Sequence, residues 1–145
     1  MTQAELHVLG WGIALLFSYG AIHLAGLETI RWLKPERHRH GPLGLLLTFW
    51  GLALLHIIEI GIAAFVVATL LEDPANGMLI DGMNGTDAAD HLYFAGISFS
   101  TLGYTGMEAH GPIRLMVMMV SLSGFMLITW SATFIYTIWG ESFRQ

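Results

Sequence analysis

The chain has 145 residues, of which 54% are hydrophobic and 12% are charged, well below the ~25% charged residues that are usual in soluble domains. With a mean hydropathy of +0.61, this composition indicates a protein that folds in the lipid bilayer, and we expect no separate soluble catalytic domain. Cysteine is absent, which excludes disulfides and thiolate metal sites, and the net charge of -5 argues against a nucleic acid partner.

Three apolar segments are long enough to cross a membrane. Leu6 to Leu27 and Leu115 to Gly140 contain no Asp, Glu, Lys or Arg, and Leu43 to Leu71 contains Glu59 alone. At ~1.5 Å per helical residue, each segment can span a hydrocarbon core of ~30 Å. The chain start has no Lys or Arg before the first segment, unlike a signal peptide. We therefore expect an N-terminal transmembrane helix over residues 1–34 to remain in the mature protein.

The basic residues predict the orientation of these spans. Four of the six Lys and Arg residues lie between the first two spans, at Arg31, Lys34, Arg37 and Arg39. The positive-inside rule places the connection between these two spans in the cytoplasm, including the basic loop at residues 35–42. The membrane would be the plasma or inner membrane of the cell. The N-terminus is then outside and the C-terminus inside. The acidic loop at residues 72–86, which has no Lys or Arg, is then external.

A shorter apolar stretch, Leu92 to Met107, lies between the second and third spans. It is uncharged but too short to cross the bilayer, which is typical of a re-entrant segment. Asp87 can cap a helix over residues 87–100, and Asp90 would lie in its first turn. The C-terminal end of that helix would carry a negative partial charge inside the membrane, which favours a cation there.

The residues after this helix resemble the pore loop of potassium channels. The stretch T-L-G-Y-T-G matches the usual filter T-V-G-Y-G, and it consists of Thr101, Leu102, Gly103, Tyr104, Thr105 and Gly106. The resemblance to small bacterial two-helix potassium channels covers Gly44 to Trp139. It is strongest from Tyr93 to Gly124, which includes the G-P-I-R-L start of the third span. The first span lies outside the resemblance.

The resemblance implies an all-α integral membrane fold with three transmembrane helices, a re-entrant pore helix and a filter strand. The channel pore domain would occupy residues 43–145, divided into outer helix 43–71, external loop 72–86, pore helix 87–100, filter 101–106 and inner helix 112–140. One copy contributes only a quarter of each ring of carbonyls around a central pore. We therefore expect a homotetramer.

The same resemblance implies passive conduction of monovalent cations, with potassium favoured and no enzymatic step. The carbonyls of Thr101 through Tyr104 would replace the hydration shell of a K⁺ ion, and the Thr101 hydroxyl would close the innermost site. K⁺ ions in the filter are the only cofactor expected. Tyr93 and Phe94 stand where small bacterial channels carry an aromatic cuff that supports the filter.

Three positions depart from the family pattern. Thr105 replaces the second filter glycine, Gly106 replaces the aspartate that usually follows, and Ile97 stands where some pore helices carry a carboxylate. The usual glycine takes a positive φ, which is costly for a β-branched residue. We therefore expect the outermost ion site to be distorted or lost, with the four inner sites retained. The alternatives are that Thr105 rearranges the whole strand and leaves a weakly selective pore, or that its side chain points away and has no effect.

The third span contains candidates for gating. Gly124 matches a hinge glycine of the bacterial channels, but a small residue there would equally allow two helices to pack closely. Ile128, Ala132 and Tyr136 follow it on one helical stripe at i, i+4 spacing. They are candidates for the cavity wall and inner gate, or ordinary helix packing residues.

Polar residues within the spans form a further candidate site, because such groups are costly in lipid. His23 and His56 lie at similar depths, ~15–18 Å from the cytoplasmic ends of their helices. Together with Glu59 they predict a buried polar pair or triad that ties the first span to the second and could make a channel pH-sensitive. The alternative is that His23 and His56 ligate haem in a small membrane redox protein.

Overall fold

A computed structural model describes residues 1–33, 42–80, 87–103 and 105–143, and the chain is mostly helical. Three helices are long and apolar enough to cross a membrane: α1 (Gln3–Leu33), α2 (Pro42–Leu71) and α4 (Ile113–Phe143). The three predicted spans are thereby confirmed, and the protein is a multi-pass membrane protein. Several sequence predictions concern positions outside the described residues, namely the basic loop at 34–41, residues 81–86, Tyr104 and Arg144.

A short helix, α3 (Ala88–Phe99), lies between α2 and α4 in the stretch predicted to be re-entrant. Asp87 caps it as expected, because its carboxylate accepts hydrogen bonds from the Ala89 and Asp90 N–H groups at 2.8 and 3.0 Å. The Asp90 carboxylate accepts the Asp87 N–H in return, at 2.9 Å, which completes a capping box. At ~1.5 Å per residue the helix is about 18 Å long, too short to cross the bilayer.

A two-stranded sheet joins the chain before α3 to the chain after it, and the sequence did not predict this. Strand β1 (Met78–Ile80) pairs antiparallel with β2 (Glu108–His110), with Leu79 opposite Ala109. Gly77 approaches the backbone of His110 so closely that a Cβ would collide with its carbonyl. The sheet therefore fixes both ends of the segment that holds α3 and the predicted filter.

The chain between α2 and β1 is also ordered. A 3-10 turn, Pro74–Asn76, follows α2 and is capped by the Asp73 carboxylate, which accepts the Ala75 N–H at 2.9 Å. The buried side chain of Asn76 donates to the Leu70 carbonyl at the end of α2, at 2.8 Å. Part of the predicted external loop is therefore regular structure anchored on α2.

Helix α1 packs along α4 and also touches α2, with glycines at the close contacts. Gly12 lies against the side chains of Met116 and Met119 of α4, and Gly26 lies beneath Leu55 of α2. Small residues allow helices in lipid to approach closely, where van der Waals packing replaces the hydrophobic effect as the main attraction. The N-terminal span is thus an integral part of the bundle.

Candidate functional site

The C-terminal end of α3 closes with a turn at the start of the predicted filter. The Thr101 N–H donates to the Ser98 carbonyl at 3.1 Å, and the Leu102 N–H donates to the Ile97 carbonyl at 3.2 Å. This pair of bonds is a Schellman motif, which requires a left-handed residue after the helix. Thr101 takes that role with a φ of 58° and is the one non-glycine residue with positive φ in the described part of the chain.

The filter strand predicted to begin at Thr101 is therefore not extended at that residue. The backbone at Thr101 first satisfies the last carbonyls of α3, and only then does the chain leave the helix. A left-handed conformation costs roughly 1–2 kcal/mol for an L-residue. Strain of this kind tends to occur at functional sites, where the surrounding structure holds it in place.

The first residues of the predicted filter are exposed in the single chain. Thr101, Leu102 and Gly103 all reach the surface, and Leu102 is 71% exposed. Gly103 has a φ of 65°, which a glycine adopts without strain. The start of the predicted filter therefore exposes its backbone and one large apolar side chain, that of Leu102, on the surface of the single chain.

Thr105 has no left-handed strain, unlike the glycine that it replaces in the resemblance. Its hydroxyl accepts a hydrogen bond from the Met107 N–H at 3.1 Å, which closes a local turn. The outer end of the predicted filter is thus held by a side chain. An open groove of about 340 Å³ is lined in part by Ile97, Ser98 and Thr105 and by Ser121 of α4.

The two aromatic residues predicted to support the filter lie in different environments. Phe94 is buried in the core between the helices, whereas Tyr93 is 51% exposed. Phe94 can therefore brace α3 within the chain. Tyr93 instead lies on the outside of the chain.

Gly124 is the point at which the end of α3 meets α4. A Cβ at this position would collide with the backbone carbonyl of Phe99, the last residue of α3. Of the two roles considered for Gly124, the contact favours close helix packing. The hinge role stays a prediction.

The stripe formed by Ile128, Ala132 and Tyr136 faces away from the rest of the chain. All three are exposed, and Tyr136 is 79% exposed. Ordinary packing within one chain therefore does not account for the stripe. Its proposed place on a cavity wall or inner gate stays a prediction.

His23, His56 and Glu59 come together in the middle of the bundle, with a serine that the sequence reasoning missed. The two carboxylate oxygens of Glu59 lie 2.8 Å from Nδ1 of His23 and 2.8 Å from Nδ1 of His56. On the far side of both imidazoles, Oγ of Ser131 lies 3.2 Å from Nε2 of His23 and 3.0 Å from Nε2 of His56. These four residues, here called the polar ring, form a closed circuit that joins α1, α2 and α4.

The polar ring is enclosed by aromatic side chains. The hydroxyl of Tyr19 donates to the Glu59 backbone carbonyl at 2.6 Å. Trp130 lies beside His23 with ring centroids 5.4 Å apart, and Phe99 packs its ring against His56 at 5.7 Å. His23 and Glu59 are fully buried. Through Phe99 the polar ring touches the end of α3 as well as the three spans.

The polar ring does not fit haem. The imidazoles of His23 and His56 stack with centroids 5.5 Å apart, which leaves no gap for a macrocycle between them. Ligand atoms of the two histidines and Glu59 lie within 4.8 Å of one another, close enough to surround a metal ion. All four imidazole nitrogens are nevertheless engaged in hydrogen bonds, so a metal would first have to displace protons. The redox alternative has no support.

Comparison with known families finds one match. A family model described as "Ion channel" matches residues 53–139, from the first part of α2 to near the end of α4. The match includes α3, the predicted filter and three members of the polar ring, and it excludes α1. No curated protein and no solved structure matches the chain.

Proposed function

Because the chain belongs to the ion channel family of pore-loop cation channels, we propose that it passes monovalent cations passively through a pore of four copies, with potassium favoured. The observation that carries the proposal is the unit inside the matched region. There a short capped helix rests its C-terminal end on α4 and leads into the exposed residues Thr101 to Gly103. No enzymatic step is proposed, since the family is generally non-enzymatic.

Electrostatics support a cation site at the end of α3. Its N-terminus carries the carboxylates of Asp87 and Asp90, which complement the positive end of the helix dipole. Its C-terminus directs a negative partial charge toward the segment that begins at Thr101. We propose that the carbonyls of Thr101 through Tyr104 hold dehydrated K⁺ ions there, with the Thr101 hydroxyl at the innermost site.

Four copies would complete what one chain leaves open. One filter segment contributes only a quarter of each carbonyl ring, and its exposed residues would face the other three segments across a common axis. The exposed stripe of Ile128, Ala132 and Tyr136 would then line the cavity below the filter. Mass measurement in mild detergent should give four chains per particle. A monomer or dimer that retains ion flux would contradict the proposed assembly.

The proposed orientation places the β1–β2 sheet outside the cell and the basic loop in the cytoplasm. Ala75 is exposed beside the sheet and Leu33 is exposed at the opposite end of α1. The chain has no cysteine, so Ala75→Cys and Leu33→Cys each introduce a single thiol. An impermeant thiol reagent added to intact cells should label the first variant and not the second. The reverse labelling would invert the proposed pore.

Reconstitution into bilayers with unequal potassium and sodium tests conduction and selectivity together. We expect a reversal potential close to the potassium equilibrium potential. A current that reverses near zero would support a channel but contradict the proposed preference for potassium. Protein that passes no cation under any condition would contradict the proposed function.

Two glycine variants provide a matched control for the filter. Gly103→Ala forces a left-handed alanine into the segment, where φ is 65°, and we expect conduction to fall at least about tenfold because the strain is of order 1–2 kcal/mol. Gly106→Ala adds the same methyl group in open space where φ is not positive. It should conduct nearly as well as the wild type. Equal effects of the two changes would argue that the backbone at Gly103 has no special role.

A further inference from the structure

The polar ring has more hydrogen-bond contacts than it has protons when both histidines are neutral and Glu59 is ionised. Its four contacts each need one proton between the two heavy atoms. The Ser131 hydroxyl supplies one proton, each neutral imidazole supplies one, and an ionised Glu59 carboxylate supplies none. Three protons are therefore available for four contacts. The circuit closes only when at least one further proton is bound, and with one such proton every donor in it has an acceptor.

We propose that the polar ring is a proton-binding site that holds this one labile proton and thereby ties α1, α2 and α4 together. The proton resides on a histidine, which becomes an imidazolium, or on Glu59, which becomes neutral. In either form the Ser131 hydroxyl donates to one imidazole and accepts from the other. The net charge of the circuit is then zero, the least costly charge for a buried site in the membrane.

Loss of the proton breaks the circuit at one contact. Two hydrogen bond acceptors then face each other across it, and one negative charge remains in the bundle interior. Gain of a second proton keeps all four contacts, because the Ser131 oxygen can accept from both imidazolium groups, but the hydroxyl proton of Ser131 then has no acceptor in the circuit and one positive charge remains. Loss of the proton breaks a contact and leaves a buried charge, whereas gain of a second proton leaves a buried charge alone, and either change destabilises the packing of α4 against α1 and α2.

The neighbours of the polar ring do not offer a competing proton. In the described part of the chain, the further titratable group that faces it is Tyr19 of α1, whose hydroxyl donates to the Glu59 carbonyl. Helix α3 presents Phe99 and helix α4 presents Trp130, neither of which titrates. The other titratable members from α2 are those of the circuit itself.

The proton count fixes the pH at which the polar ring is most stable. In water, glutamic acid titrates near ~4.3 and histidine near ~6.5, so one Glu and two His together carry about one labile proton at pH ~6.5. The closed circuit also carries one. Above that pH its formation takes up a proton, and below it a proton is released. By linkage, its stability should be greatest near pH ~6.5 and fall by up to about tenfold per pH unit on either side.

Replacement of Glu59 by glutamine separates the proton site from its structural role. The amide of Glu59→Gln can donate to Nδ1 of one histidine and accept from Nδ1 of the other. With two neutral imidazoles and Ser131, the circuit then has four protons for four contacts and needs no labile one. We expect this variant to stay assembled and to lose the fall in stability above neutral pH.

Two serines of α4 give a matched pair. Ser131→Ala removes the hydroxyl that joins both histidines. Ser123→Ala removes a hydroxyl that is equally buried but bonds within its own helix, to the Met119 carbonyl at 2.7 Å. Ser131→Ala should lower the melting temperature and flatten its pH dependence. Ser123→Ala should keep the wild-type pH profile.

The test is the melting temperature of the full-length protein in detergent from about pH 5.5 to about pH 9, a range that brackets the expected maximum. We expect the wild type to peak near pH ~6.5 and to lose stability toward pH ~9, while Glu59→Gln stays level above pH ~7. A level wild-type profile above pH ~7, or an equal fall in Glu59→Gln, would overturn the proposal. If added Zn²⁺ raises the wild-type melting temperature and not that of Glu59→Gln, the site binds metal and the proposal is also overturned.

A spectroscopic measurement on the wild type alone covers the case in which variants fail to fold. Nitrogen NMR of the labelled histidines distinguishes imidazolium from neutral imidazole, and infrared spectroscopy distinguishes a carboxylic acid from a carboxylate. At pH ~8, where free histidine is mostly neutral, we expect one imidazolium or one carboxylic acid in the polar ring. Two neutral imidazoles beside a carboxylate would overturn the proposal.

The consequence for current rests on the proposed function, whereas the proton binding does not. Ser131 lies seven residues after Gly124, about 10 Å further along the helix that would line the pore. We expect the current of the wild type to change above pH ~7 and that of Glu59→Gln to stay constant. No current at any pH, with the expected melting profile, would contradict only the channel. A pH-independent current with that profile would overturn only the coupling to conduction.

Discussion

The polar ring and the predicted filter are two special regions of the same bundle, and they differ in how complete they are. In the polar ring every side-chain nitrogen and oxygen has a partner, and His23 and Glu59 are fully buried. In the filter segment, Thr101 to Gly103 are exposed, and Thr101 holds a strained left-handed conformation. The polar groups of the polar ring are satisfied within a single chain, whereas the filter segment is exposed on the surface of that chain.

This difference fits the proposed assembly, in which the two regions would depend on different levels of structure. A closed polar circuit stabilises the fold of one chain, because its members come from three helices of that chain. In the proposed tetramer, the exposed, strained segment would gain its partners from the other copies. Changes in the first region should therefore affect stability, and changes in the second should affect selectivity.

The largest effect is expected where the two regions join, at Gly124. Gly124→Ala places a methyl group against the backbone carbonyl of Phe99, and overpacking of this kind costs about 3 kcal/mol or more when backbone must move. We expect both the stability and the assembled fraction to fall, measured by thermal unfolding and by particle mass. The same change at Gly61, where nothing lies within 4 Å, is the control. A stable Gly124→Ala with altered gating would instead support the hinge.

The next effect separates stability from selectivity at Thr101. Thr101→Gly relieves the left-handed strain, so we expect about 1 kcal/mol of added stability in thermal unfolding. It also removes the hydroxyl proposed for the innermost ion site, so the potassium-to-sodium permeability ratio should fall. Thr101→Ala is the control, because it loses the hydroxyl and keeps most of the strain. A less stable Thr101→Gly would show that the side chain supports the turn.

A smaller loss is expected on the polar ring side, at Tyr19. Tyr19→Phe removes the hydrogen bond to the Glu59 carbonyl, which should lower the free energy of unfolding by about 1 kcal/mol. The permeability ratio should not change, because the bond lies within the complete region. Measurement of both quantities on the same preparation tests the comparison directly. A change in selectivity without a change in stability would contradict it.

The smallest effect is expected at Thr105. Because its φ is not positive, Thr105→Gly relieves no strain, and it removes only the bond to the Met107 N–H, worth about 0.5–1 kcal/mol. We expect the permeability ratio to change less than about threefold, or less than about 0.7 kcal/mol. A large gain in selectivity would mean that Thr105 distorts the whole segment. Thr105→Ser, which keeps the hydroxyl, should match the wild type.

Much of this fold is predictable because its sequence signals either extend over a whole span or lie within a few residues of a helix end. The spans follow from segments without charge, and the Asp87 cap follows from its position before an apolar run. The contact between His23 and His56 follows from their similar depths in the membrane. Two polar side chains at the same depth lower their free energy by forming hydrogen bonds with each other instead of facing lipid. In each case a single constraint of the membrane or the helix end decides the outcome.

Other features depend on contacts that no local pattern encodes. Ser131 is 108 residues from His23, and a serine in an apolar helix usually bonds its own backbone, as Ser123 does. Strands of three residues are too short to show an alternating pattern, so β1 and β2 were missed. The left-handed Thr101 opposes the preference of a β-branched residue, so propensity points the wrong way.

The β1–β2 sheet has a consequence for the exchange of pore segments between proteins. Paired strands hold their opposing Cα atoms about 5 Å apart, so the chain leaves and re-enters the scaffold at nearly one point. The insert between Ile80 and Glu108 is therefore a cassette, whose replacement need not alter the separation of α2 and α4. A transplanted loop of different length should be accepted if its helix still ends against Gly124. The scaffold would then serve as a common host in which filters from unrelated channels can be compared.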